Sequence, residues 1–282
     1  MNQPVIRHIA ARWSMIHYPT QENEWSLDRK FADAKAAEFD GVVHPPHPDI
    51  KELTAKHGLK LLGFVSSGKA AEFPELLQAN KNCDIRHINV QLADEDTLTP
   101  EALGLALALI DQGKKLGVEP AVEVHRDTCT ETPEKAYALA DAYQKITGEL
   151  MPITWDFSHF AVVKHLTPAN FIEKLLIRPH LVQRAQQFHF RPFNGHHCQI
   201  PVTDGKGNLT QELKDWLPFA EAVLKCWLEG NRGTNRELFV CPEMGPVPSG
   251  YNLSTLPNSW DDAKILRVEI DRIWKTLTKS AL

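Results

Sequence analysis

The segment Ala121-Val122-Glu123-Val124-His125 has the composition of a short β-strand, and it brings a carboxylate and an imidazole to the end of that strand. Side chains alternate across a strand, so Glu123 faces away from Val122 and Val124. Three later segments have the same form, because each is a strand-like run that contains or closes on a potential metal ligand. These segments are Ile153-Thr154-Trp155-Asp156, Gln187-Phe188-His189-Phe190 and Val240-Cys241-Pro242-Glu243.

Strand-like and helix-like stretches alternate along the whole chain, before and between these four segments. The alternation predicts the α/β class and a single (β/α)₈ TIM barrel spanning residues 1–282 as one domain. An open doubly wound sheet is the alternative, but the Gly-rich phosphate turn that would favour it is missing. The predicted strands are 6–11, 41–44, 59–65, 85–92, 120–125, 152–157, 185–190 and 238–243. The predicted helices are 27–39, 49–57, 73–80, 99–116 with Thr99 as N-cap, 132–146, 168–176, 211–228 and 260–277.

Four candidate ligands are predicted to converge at one rim of this barrel. Glu123, Asp156, His189 and Glu243 each belong to the end of a strand, where the active sites of such barrels lie. The first two steps between them are 33 residues each, the length of one strand–helix unit, and the last step is 54. Burying three carboxylates close together is costly without a cation. Three oxygen donors and one nitrogen suit one Mn²⁺ or Mg²⁺ ion, with Co²⁺ and Zn²⁺ as alternatives.

The composition narrows the class of protein. The chain has 282 residues, is 43% hydrophobic and carries a formal charge of −5, and this mild acidity argues against a general nucleic-acid surface. No apolar run approaches membrane-spanning length, and the N-terminus has no apolar signal core. The five cysteines show no CxxC pair, which fits free thiols in a reducing compartment. We therefore expect a cytoplasmic protein that binds neither nucleic acid nor membrane. Cys241 and His8 are interpreted as packing residues.

The motifs in the second half of the chain resemble those of the xylose isomerase-like barrel superfamily. That superfamily contains sugar isomerases and epimerases, and also DNA-repair enzymes of the endonuclease IV type. The resemblance is carried by Glu123-Val124-His125-Arg126, by Asp156-Phe157-Ser158-His159, by His189 on the seventh strand and by Glu243 after the eighth. The first half of the chain matches mainly in its layout.

The resemblance implies a set of residue roles. In the ketose 3-epimerase branch, residues like Glu123, Asp156, His189 and Glu243 bind one divalent metal ion. The two glutamates also exchange a proton with the substrate carbon from opposite faces, which makes Glu123 and Glu243 the expected catalytic residues. The histidine of the Asp-x-x-His motif lies close to the substrate, and His159 is expected to do so here. Loss of a proton beside the carbonyl gives an enediolate, which a cation stabilises.

The expected substrate contacts lie around the barrel mouth. The epimerase branch carries an arginine several residues after the seventh-strand histidine, where this chain has Gly195, so Arg191 is the expected substitute. Polar side chains after strand seven suit sugar hydroxyls, and Tyr251 and Trp260 are expected to form an aromatic lid. The expected substrate-binding residues are Trp13, beside Arg12 on the opposite wall, and His125, His159, Arg191, His197 and Gln199.

Several activities fit this site. The leading interpretation is a metal-dependent isomerase or epimerase acting on a ketose or keto-sugar, and a dehydratase or lyase of a keto-sugar or keto-inositol is the alternative. A DNA-repair enzyme of the endonuclease IV type would need more zinc ligands. His44 or His47 could serve strand two, but strand three ends at Ser66 without a ligand. A non-catalytic sugar-binding barrel is a further alternative. Such barrels often pair, so a homo-oligomer is an open expectation.

Overall fold

The eight predicted strands form a closed barrel in the computed structural model, which describes residues 3–279. All eight are parallel, each pairs with the next in sequence, and the last pairs with the first. The (β/α)₈ prediction is therefore confirmed. The strands are β1 (Val5–Ala11), β2 (Gly41–Val43), β3 (Lys60–Ser67), β4 (His87–Leu92), β5 (Glu119–Glu123), β6 (Ile153–Trp155), β7 (Gln187–Phe190) and β8 (Glu237–Pro242).

Ten α-helices cover the outside of the barrel in the described part of the chain. They are α1 (Leu27–Ala36), α2 (Pro48–Lys56), α3 (Phe73–Asn82), α4 (Thr99–Leu116), α5 (Pro133–Thr147), α6 (Phe157–Val163), α7 (Phe171–Leu175), α8 (Pro179–Arg184), α9 (Gln211–Glu229) and α10 (Ser259–Lys279). Short 3₁₀ helices at Arg12–Met15 and Val247–Ser249 follow β1 and β8. None of the helices within residues 3–279 combines the length and apolar character that crossing a bilayer requires.

The connection after β6 differs from the prediction. One helix was expected at 168–176, whereas the structure has three α-helices there, of which α6 begins directly after the strand. The side chain of Asp156 accepts a hydrogen bond from the Ser158 amide at 2.9 Å and so caps α6. Asp156 thus has two roles, as a helix cap and as a strand-end carboxylate.

The predicted N-cap Thr99 is also wrong, because α4 already begins at Thr99 and Leu98 holds the cap position without a side-chain bond.

Side-chain alternation divides the apolar residues into two cores, one on each face of the sheet. The larger core lies between the sheet and the helices, and it includes Val122, Val124, Phe188 and Val240. A small second core fills the barrel interior beneath the strand ends. It consists of the buried residues Ile9, Ala11, Leu62, Phe239 and Cys241. Cys241 is fully buried there, which confirms its packing role.

Two polar clips hold the long connections at the C-terminal face of the barrel. Asp262 at the start of α10 accepts bonds from the Val202 amide at 2.7 Å and from the Thr203 hydroxyl at 2.8 Å. Gln199 binds both backbone groups of Gly245, accepting from its amide at 2.6 Å and donating to its carbonyl at 3.0 Å. The loops after β7 and β8 are therefore tied to each other and to α10, which gives the barrel mouth a defined wall.

Candidate metal and sugar site

Three of the four predicted ligands meet at the centre of the barrel mouth. His189 Nδ1 lies 2.7 Å from Glu123 Oε1 and 3.3 Å from Glu243 Oε2. One ligand atom from each of these residues lies within 4.8 Å of the others. They come from the ends of β5, β7 and β8, so the closed barrel brings together residues that are up to 120 positions apart in the chain.

Two inward-facing amides support this triad, and neither was expected as part of the site. Asn89 on β4 donates to Glu123 Oε2 at 2.7 Å, and the Gln187 carboxamide lies 2.8 Å from His189 Nε2. A half-turn of that carboxamide lets it accept from Nε2–H, which leaves Nδ1 free as a ligand. Asn89 alternates with the outward-facing Ile88 and Val90, so strand parity on β4 carried the signal that would have found it.

The fourth predicted ligand, Asp156, is bound by an arginine instead of joining the triad. Arg191 Nη2 donates to Asp156 Oδ2 and lies 3.3 Å from Glu243 Oε2. His159 Nε2 lies 3.4 Å from the same Asp156 oxygen, and burial lowers the pKa of this imidazole against the pull of that carboxylate. Because Arg191 and Asp156 are both fully buried, the guanidinium is a resident cation among the carboxylates.

The charged side chains in this cluster shift one another's pKa values strongly. Burial disfavours every charged form, but the carboxylates of Glu243 and Glu123 raise the pKa of His189 well above its ordinary value. Arg191 in turn holds the pKa of Asp156 well below its usual range despite burial. Three carboxylates thus face one guanidinium and one imidazole whose protonated form they favour, which leaves room for further positive charge.

The triad fits a divalent cation on two observations. Glu123 Oε1 and His189 Nδ1 are buried, and neither makes a hydrogen bond of acceptable geometry with any described residue. Neighbouring ligands on an octahedral ion with bonds of about 2.1 Å are about 3 Å apart, which matches the 2.7 and 3.3 Å separations around His189 Nδ1. The donor set in this arrangement is two carboxylates and one imidazole, and Asp156 joins it only if Arg191 withdraws.

A cavity of about 350 Å³ opens above the triad. Two predicted substrate-binding residues, Trp13 and His125, line it directly. His159 lies behind His125, with ring centroids 4.5 Å apart. The wall consists of Ala11, Arg12, Trp13, Val43, His44, Pro45, Phe64, Asn89, Gln91, His125, Arg126, Asp127, His189, Glu243, Ser249 and Tyr251.

An aromatic pair closes one side of this cavity. Trp13 and Tyr251 meet edge to face at 5.1 Å, and the Arg191 guanidinium lies 4.3 Å from the Tyr251 ring centre. Gly245 is required here, because a Cβ atom on it would lie 2.5 Å from Trp13 and 2.6 Å from Tyr251. Tyr251 thus belongs to the cavity wall as expected, whereas Arg191 contacts its ring and is not part of the cavity lining.

Besides His159 and Arg191, which are not part of the wall, three further expected contacts are not brought to the cavity. His197 is exposed and bonds to Asn194, and Gln199 has both amide atoms engaged by Gly245. Trp260 is wrong as a lid residue, because it is buried at the start of α10 and donates to Asp33 at 2.7 Å. A larger groove of about 630 Å³ lies outside the barrel between α5 and α8, away from the C-terminal ends of the strands.

Solved structures of similar shape were found, although no protein-family model and no curated protein matches the chain. An L-ribulose 3-epimerase aligns with a TM-score of 0.64 at 15% identity, covering 100% of this chain and 97% of its own. A D-allulose 3-epimerase from Methylomonas sp. in complex with D-allulose aligns with a TM-score of 0.59 at 13% identity, covering 96% and 99%. A xylose isomerase-like TIM barrel protein from Mycobacterium smegmatis in complex with magnesium aligns with a TM-score of 0.58 at 12% identity, covering 95% and 97%. The chain therefore shares the TIM-barrel fold of these proteins.

Proposed function

We propose that this protein is a divalent-metal-dependent isomerase or epimerase of a ketose or keto-sugar. The observation that carries the proposal is the meeting of Glu123, His189 and Glu243 beneath one cavity at the C-terminal end of the barrel. The fold is shared with sugar epimerases, one of which is in complex with D-allulose. Fold alone does not assign an activity, so the residues of the site must carry the chemistry.

The residues around the cavity would have different roles in the proposed reaction. Glu243 lines the cavity with 15% of its side chain exposed, so it is placed to take a proton from a carbon beside the substrate carbonyl. Glu123 is 1% exposed and held by Asn89, and it would return the proton from the other face in an epimerase. Trp13 and Tyr251 form a wall that orients the substrate and excludes water.

A divalent ion, Mn²⁺ or Mg²⁺ in the first instance, would be held by Glu123, His189 and Glu243. When bound, it polarises the carbonyl and stabilises the negative charge of the enediolate. Magnesium is present in one structure of the same fold. Asp156 is proposed as the fourth ligand in the state in which Arg191 has released it. His125 and His159 then remain as neighbouring imidazoles on the β5 and β6 side of the cavity.

One observation favours a second activity at the same site. Glu243 lines the cavity, whereas Glu123 lies below it and is already bonded to Asn89. A single carboxylate working from one face gives 1,2-isomerisation or elimination rather than inversion. A dehydratase or lyase of a keto-sugar or keto-inositol is therefore the second candidate, and it uses the same enediolate.

Metal binding tests the site before any substrate is known. Glu123→Gln and Glu243→Gln are each expected to weaken Mn²⁺ binding at least tenfold by titration calorimetry. Glu237→Gln is the matched control, because Glu237 lies at the opposite end of β8 and pairs with Arg7 and Lys60. Equal affinity in all three variants would refute the metal site.

Solvent isotope exchange tests the chemistry. Keto-sugars, inositol derivatives and their phosphates are incubated with the Mn²⁺-loaded protein in D₂O and followed by NMR. An epimerase or isomerase incorporates deuterium at carbon without loss of oxygen. A dehydratase releases a deoxygenated product. If no member of the panel exchanges a proton or reacts, the isomerase, epimerase and dehydratase proposals all fall.

A further inference from the structure

The cavity wall contains an arginine whose side chain has no partner. The other arginines that are shielded from solvent are paired. Five arginines between residues 3 and 279 are buried or half-buried: Arg7, Arg12, Arg191, Arg236 and Arg267. Arg7, Arg191 and Arg267 bind carboxylates, and Arg236 binds a side-chain amide and backbone carbonyls. The Arg12 side chain makes no hydrogen bond and no ion pair with any described residue, and its Nε atom is buried and unsatisfied. Guanidinium groups that are shielded from solvent are normally paired. We therefore expect Arg12 to bind a group from outside the chain.

The other charges in the cavity wall are already balanced. Arg126 Nε lies 3.6 Å from Asp127 Oδ2, and its guanidinium also covers the Tyr251 ring at 4.4 Å. Glu243 lies 3.3 Å from Arg191. Arg12 is therefore the charged group of the wall that is left without a counter-charge.

The position of Arg12 relates this charge to the triad. Arg12 begins the 3₁₀ helix directly after β1, and β1 pairs with β8, whose end carries Glu243. Arg12 and Glu243 thus line the same cavity from neighbouring strands. At about 350 Å³, the cavity lies at the small end of ligand sites, so a molecule that reaches the triad also comes near Arg12.

We propose that Arg12 binds an anionic group of the substrate, so that the natural substrate is a small polyhydroxy carbonyl compound bearing a carboxylate or a phosphate. The planar guanidinium presents paired N–H donors that match the oxygens of either group. This inference rests on the proposed function for the identity of the reacting end. The anion contact itself does not depend on turnover.

Anion binding without metal tests the contact directly. Inorganic phosphate and D-gluconate are titrated into full-length protein that has been treated with a chelator and then dialysed free of it, with uncharged sorbitol as the comparison ligand. We expect Arg12→Gln to weaken binding of the favoured anion about tenfold to a hundredfold, the range for a hydrogen bond to a charged group. Arg126→Gln, which removes a cavity arginine that already has Asp127, is expected to change it less than threefold. Whichever of the two anions binds more tightly identifies the group as phosphate or carboxylate.

Three results would overturn the assignment. The first is a wild-type protein that binds neither anion better than sorbitol, and the second is an Arg12→Gln variant that binds as well as wild type. The third is an equal loss in both variants, because that would reflect only the general positive potential of the cavity. With substrates in hand, Arg12→Gln should raise KM for acidic keto-sugars at least tenfold and leave neutral ones unchanged. If neutral ketoses are turned over and no acidic keto-sugar is, this inference is refuted and the proposed function remains intact.

Discussion

Removal of the Arg191 guanidinium tests whether Arg191 and Asp156 form a pair that competes with a metal ion. Both side chains are at most 1% exposed, so Arg191→Met leaves a buried carboxylate without its cation. Breaking a buried pair in this way costs about 3–5 kcal/mol. For 282 residues, an unfolding entropy of about 2.1 cal/mol/K per residue gives about 0.6 kcal/mol/K. The apo variant should therefore unfold about 5–8 °C below wild type in a thermal scan.

The same variant frees Asp156 to act as a fourth ligand. We expect Mn²⁺ to raise the Tm of Arg191→Met by more than it raises the Tm of wild type. A tenfold gain in affinity corresponds to about 1.4 kcal/mol, or about 2 °C on this scale. Calorimetric scans with and without Mn²⁺ measure both effects.

A double variant provides the control. Arg191→Met with Asp156→Asn removes both charges, so its apo stability should recover most of the loss, and its additional response to Mn²⁺ should disappear. An Arg191→Met protein as stable as wild type would refute the buried-pair interpretation. A double variant as destabilised as the sum of its single changes would refute it as well.

Three further predictions concern stability and the cavity wall. Burial, with the nearby Arg267 charge, lowers the pKa of His8 to about 4, so the unfolded chain binds more protons than the folded one between that value and about 6.5. The free energy of unfolding should then fall by about 3 kcal/mol as pH drops from 6.5 to 4. His8→Gln should flatten this pH dependence in urea titrations, and an unchanged slope would show that His8 is not its cause. Gln199→Ala removes both bonds to Gly245 and should cost about 2 kcal/mol, whereas a loss under 0.5 kcal/mol would show that the clip is not needed. Because the buried Tyr251 hydroxyl has no partner among the described residues, Tyr251→Phe should keep the free energy of unfolding within about 0.5 kcal/mol of wild type, and a larger loss would reveal a missed bond.

Much of the site followed from strand parity. Alternation placed Glu123, His189 and Glu243 on the inward face, and the barrel brought them together as expected. The same rule applied to β4 would also have identified Asn89. Strand parity does not determine what an inward side chain binds, so it could not predict the pairing of Asp156 with Arg191.

Helix-facing and loop residues were harder to place. Trp260 follows a loop rich in Pro and Gly and was expected over the cavity, but the packing of α10 turns it towards Phe39, at a ring distance of 5.2 Å. His197 and Gln199 lie in the long connection after β7, whose course depends on its clips to Gly245 and Asp262. These contacts join residues 46 and 60 positions apart, so local sequence carries little information about them.

The sequence by itself determined the barrel class and the inward position of the triad, because both follow from local periodicities of 3.6 and 2.0 residues that repeat in every strand–helix unit. Tertiary structure alone decided which cation faces each carboxylate. Arg191 reaches Asp156, and Arg12 is left without a counter-charge among the described residues, because strand pairing in the closed sheet sets the distances between side chains on different strands. Electrostatic pairing depends on those distances, and no local pattern encodes them.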